Sequence, residues 1–86
     1  MKNEDQIKLE AATFRRLVDH LQNNKELQNI DLMNLAGFCR NCLSKWMTEE
    51  AKSMSIKLDY DESRNKIYGM QYDEWKKRYQ KPIVEK

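Results

Sequence analysis

The chain has 86 residues, 16 basic against 14 acidic for a net charge of +2, with 40% hydrophobic and 35% charged side chains, two glycines, one proline and two cysteines. A chain of this length makes one domain with a small core, burying only about 60% of the surface its unfolded form exposes. The composition is too apolar for a disordered chain, the net charge is too small to imply a polyanionic partner by itself, and the few Gly and Pro leave little material for hairpins.

No apolar run approaches the roughly 18 residues needed to cross a bilayer, and the start MKNEDQIKLE lacks a signal-peptide core, so a cytoplasmic protein with no membrane segment is expected. Cys39 and Cys42 do not form a disulfide framework and are expected as thiols in a reducing compartment. The fold class that follows is all-α: a small bundle or array of about four helices with a long central second helix. One domain is expected over residues 1–86, ordered from about 5 to 80, with a frayed tail over 81–86.

The first helix is predicted from about Asp5 to Asn23, because Ile7, Ala11, Phe14, Val18 and Leu21 recur at steps of four and three and Leu17 widens their face. Asn23 and Asn24 suit a left-handed helix end, and the short link through Gln28 predicts that the first two helices are antiparallel neighbours. Asn29 or Asp31 can cap a second helix continuing to about Met54. At about 100° per residue its apolar arc holds Leu35, Phe38, Cys39, Cys42, Leu43 and Trp46, with Asn34, Asn41, Ser44 and Lys45 opposite. Gly37 inside this helix costs about 1 kcal/mol, which either a close backbone approach along Gly37, Asn41 and Ser44 offsets or the helix simply tolerates. Ser55 to Leu58 reads as an extended connector. Asp59 and Glu62 have capping-box spacing for a third helix that Gly69 ends, and a fourth runs from about Gln71 to Tyr79 before Pro82.

Three sets of residues are candidates for chemistry. His20, Cys39 and Cys42 could hold zinc or another divalent metal, with a fourth ligand from Asp19, Asp31, water or a second subunit. The preferred reading makes both cysteines core filling: a pair in mid-helix lacks the helix N-terminus, neighbouring base or positive field that activates a thiol. No cofactor is expected on that reading. Arg15, Arg16, Arg40, Asn41 and Lys45 could form an anion-binding patch, against the plainer reading of a solvated helix face. Trp75, Lys76, Lys77 and Arg78 lie in a C-terminal stretch whose five basic residues face Glu85 alone, a mixture suited to single-stranded nucleic acid. Since Tyr72, Trp75 and Tyr79 share one helical stripe, packing on the core is preferred there and nucleic acid is disfavoured.

The run from Gln28 to Trp46, QNIDLMNLAGFCRNCLSKW, followed by Tyr68-Gly69-Met70 and Tyr72-Asp73-Glu74-Trp75-Lys76, closely resembles a family of short bacterial proteins grouped as domain of unknown function 1244. The resemblance extends from Phe14 to Tyr79, with Gln71 standing where the family pattern has proline. It implies an all-helical, self-associating fold and supplies no catalytic residues. The resulting expectation is a non-enzymatic interaction or accessory module, a homodimer in which a second copy covers apolar surface the small core leaves open, with room for a further protein partner. Metal- or thiol-dependent activity is the first alternative, and nucleic-acid binding the second.

Overall fold

The computed structural model describes residues 1–82; the expected fraying of 83–86 lies outside the described residues. It contains five helices: α1 (Asn3–Asn23), α2 (Asn29–Ala36), α3 (Arg40–Ser53), α4 (Tyr60–Tyr68) and α5 (Tyr72–Tyr79). The all-α class holds, and the described residues contain no strand. The helix count and the long central helix do not hold. The predicted second helix is two helices, broken where Gly37 turns left-handed at φ 75° and its N–H donates to Met33 O at 3.0 Å. Gly37 is therefore a helix terminator. A Cβ built there would meet nothing within 4 Å, so the expected close backbone approach is absent as well.

The break resets the helical phase. Leu35, placed by unbroken periodicity on the core side, is 87% exposed, and Trp46 also faces outward in large part. From Arg40 onward the face turned inward is Arg40, Leu43, Ser44 and Ala51, with Met47 half-buried between them. Ser44, assigned to the polar side, is fully buried: its hydroxyl donates to Arg40 O, while the Thr48 hydroxyl donates to Ser44 O and accepts from the Ser63 hydroxyl on α4. Small residues on both helices let α3 and α4 pack closely, and this is the main helix pair of the fold.

The core cluster is Leu21, Leu43, Ile67, Tyr68 and Trp75, one or two residues from each of α1, α3, α4 and α5. α1 packs on α4, not as the antiparallel neighbour of α2. Its C-terminal end is tied there by Gln22, whose amide donates to Lys66 O and Ile67 O at 3.2 and 3.1 Å and so satisfies free carbonyls at the end of α4. Gly69 follows at φ 74°, and a Cβ there would come within 2.9 Å of Gln22 atoms. That glycine answers to a close approach as well as to backbone geometry.

Local signals elsewhere are honoured in part. Asp59 and Glu62 form the predicted capping box. Asn24 ends α1 at φ −125°, not in the left-handed region, and α2 starts after Gln28 with no side-chain cap. Asn29 is taken up instead by Tyr68 and Arg40. Gln28 is buried; its amide donates to Tyr79 O and its Oε1 accepts from the Lys81 N–H at 2.8 Å, which holds the chain beyond α5 in place.

Candidate functional site

Two places combine unusual exposure with unusual chemistry: an apolar groove beside α1, and the turn between α2 and α3. The groove begins with the end of α3. Ser55 adopts φ 58°, its N–H donates to Lys52 O at 3.1 Å, and the next N–H, that of Ile56, donates to Ala51 O at 2.8 Å. This double bond pattern is a Schellman motif with serine where glycine is usual, and it folds Ile56 back beside Ala51. The result is an open groove of about 380 Å³ lined by Phe14 of α1, by Leu43, Trp46, Met47, Ala51 and Met54, and by Ile56 and Leu58 of the connector, with Glu50 as its one charged residue. Sequence periodicity missed it because its wall is an irregular segment; the alternation of Met54, Ile56 and Leu58 was the available signal.

α1 continues past the groove. Its stripe is buried at Leu21, half-buried at Val18 and Phe14, and open from Thr13 to the N-terminus, so that Ile7 is 57% exposed. A helix of 21 residues spans about 31 Å, and its free half contributes to molecular extents of 51 × 27 × 20 Å.

At the second place, the end of α2 at Gly37 makes Cys39 the N-cap of α3 and puts Cys42 in its first turn. The objection that these thiols sit in mid-helix is thereby overturned. Cys39 is 7% exposed, Cys42 is half-buried, and both are free thiols. Their sulfurs lie 3.9 Å apart, and Cys42 Sγ is 3.8 Å from Met33 Sδ on α2. His20 is exposed near the end of α1 and does not join them: among the described residues, no three His, Cys, Asp or Glu side chains gather as metal ligands.

Next to Cys39 in the chain, Arg40 is 1% exposed, with its guanidinium 5.0 Å from the Trp75 ring centroid. Nη1 donates to Leu27 O and Asn29 Oδ1 at 2.6 and 3.1 Å, and Nη2 to Leu21 O and Asn24 O at 3.3 and 3.0 Å. Burial draws its pKa below the ordinary arginine value. The acceptors hold a cation without a carboxylate, and they tie the end of α1, the following loop and α2 to α3. Arg40 is thus a structural tie and is not open to an external anion. Beside it, Asn41 Oδ1 accepts from the Tyr68 hydroxyl at 2.7 Å while Asn29 donates to that hydroxyl, and burial raises the Tyr68 pKa well above the tyrosine range.

The remaining members of the expected anion patch are dispersed. Arg15 borders a hollow with Asp19 and Lys66, Lys45 borders another with Glu49 and Tyr60, and Arg16 is exposed on α1. On α5, Trp75 is buried under Arg40, so its face is not available to stack on a base. Lys76 pairs with Asp73 at 3.8 Å and Arg78 with Glu74 at 2.7 Å, which leaves Lys77 the exposed cation of that trio without an acidic partner among the described residues. No described helix is long and apolar enough to cross a membrane.

No curated protein matches the chain. The region from α2 onward, which carries the cysteine pair, Arg40 and most of the groove, does have a family match, beginning at residue 27 and leaving α1 outside it. Residues 27–86 match the family described as "Protein of unknown function (DUF1244)", and the chain belongs to that family.

Proposed function

We propose that the chain works as a non-enzymatic, self-associating interaction module, in which two copies pair by laying the free half of α1 across the partner's groove. The observation that carries this reading is that one chain presents both complementary parts: an apolar helix stripe that runs off its own body, and an apolar groove starting at Phe14, where the cover given by that body ends. A two-fold arrangement uses each part twice and closes, as an isologous dimer requires. The exposed areas of Ile7, Trp46, Met54 and Ile56 amount to on the order of 500 Å² per copy, so a pair buries on the order of 1,000 Å², the lower bound of a specific interface. A weak dimer with Kd in the micromolar range is expected.

Sedimentation of the full chain from about 1 to 300 µM tests this. The expected result is a monomer–dimer equilibrium that Ile7→Glu and Met54→Glu each weaken at least tenfold, with the helical signal of the monomer retained. A monomer across the whole range, or a dimer indifferent to both substitutions, would overturn the reading.

A further inference from the structure

The cysteine pair has a chemistry that self-association does not use. The i, i+3 spacing puts the two Cα atoms about 5 Å apart, inside the span of about 4.4–6.8 Å that a disulfide bridges. The sulfurs already touch at 3.9 Å. Cys39, as an N-cap in extended conformation, is outside the helical backbone that restricts side-chain rotation, so turning its Cα–Cβ bond can close the remaining gap. Exposure separates the two roles of exchange: Cys42 is partly open beside Met33, and Cys39 is buried behind it.

We infer that Cys39 and Cys42 form a reversible dithiol–disulfide pair that exchanges with low-molecular-weight disulfides, Cys42 attacking to form the mixed disulfide and Cys39 resolving it. With glutathione disulfide, the Cys42 thiolate bonds to one sulfur of the disulfide and expels one glutathione thiolate. The Cys39 thiolate then bonds to the Cys42 sulfur and expels the second glutathione. The protein dithiol loses two electrons and two protons, and glutathione disulfide gains them as two molecules of glutathione.

The test equilibrates the full chain with glutathione–glutathione disulfide mixtures and reads products by intact mass after acid quenching. The wild type is expected to lose two hydrogens as an internal disulfide, with an equilibrium constant at least tenfold larger in the folded chain than in concentrated urea, because the fold holds the sulfurs together. Cys39→Ser, which keeps an oxygen suited to the N-cap, is expected to accumulate one glutathione on Cys42. Cys42→Ser is expected to react at least tenfold more slowly at Cys39. Circular dichroism identifies a variant that has not folded, and the folded-to-urea ratio of the wild type tests the pair without any substitution. A pair that stays reduced in the most oxidising mixture, a constant no larger than in urea, or equal reaction of the two single variants would overturn the assignment.

Discussion

Replacing Arg40 tests whether a buried cation without a carboxylate holds this fold together. Arg40→Ala removes four hydrogen bonds, but the four acceptors do not lose equally. Leu21 O and Asn24 O still accept from the N–H groups of Asn24 and Leu27, whereas Leu27 O and Asn29 Oδ1 have no other partner among the described residues. Two orphaned acceptors at about 2 kcal/mol each, with a void against Trp75, give a loss on the order of 4–5 kcal/mol. Against a total stability of about 4–13 kcal/mol for this length, such a variant stands at the edge of unfolding. Arg40→Lys keeps the charge but not the planar fork, and about half that loss is expected. Urea unfolding followed by circular dichroism measures both: at a slope of about 1 kcal/mol per molar, Arg40→Ala moves the midpoint down by several molar. Lys45→Ala, at an exposed position on the same helix, should stay within about 0.5 kcal/mol. A loss below about 1 kcal/mol for Arg40→Ala would refute the reasoning, since it would mean that water replaces the guanidinium at little cost.

Ser55→Gly should stabilise the chain by about 0.5–1 kcal/mol in the same urea assay, because glycine takes the left-handed conformation of that residue without strain. Gly37→Ala should cost about 1 kcal/mol for its backbone alone, and Gly69→Ala more than about 2 kcal/mol, because Gln22 must also leave the carbonyls it caps. Stability should fall as pH rises above about 10: the unfolded chain releases the Tyr68 proton there while burial keeps it on the folded chain, so fewer protons are bound unfolded and the slope is negative, up to about 1.4 kcal/mol per pH unit. Alkaline unfolding of Tyr68→Phe should show a shallower slope. Asp59→Ala should lower stability by about 1 kcal/mol through loss of the capping box, read as a lower melting temperature.

Local signals in the chain were legible wherever one residue's own chemistry decides the outcome. The stripe from Ile7 to Leu21, the capping box at Asp59 and the turn at Gly69 all required only periodicity, a carboxylate and a missing Cβ. The packing of Trp75 followed from its place in an aromatic stripe. Gly37 was different, since glycine is admissible both inside a helix at a cost and just past its end. The choice is made at a distance: Arg40 must meet acceptors on α1, the loop and Asn29, a demand that periodicity read along one segment does not contain. Once the chain breaks there, the two cysteines move from a helix interior to a helix start, Leu35 turns to solvent, and α1 pairs with α4. Sequence alone determined the helical class and most helix ends, because those depend on nearest neighbours along the chain. Tertiary structure alone decided which thiols and apolar faces remain free to act, because burial is a property of what converges from elsewhere.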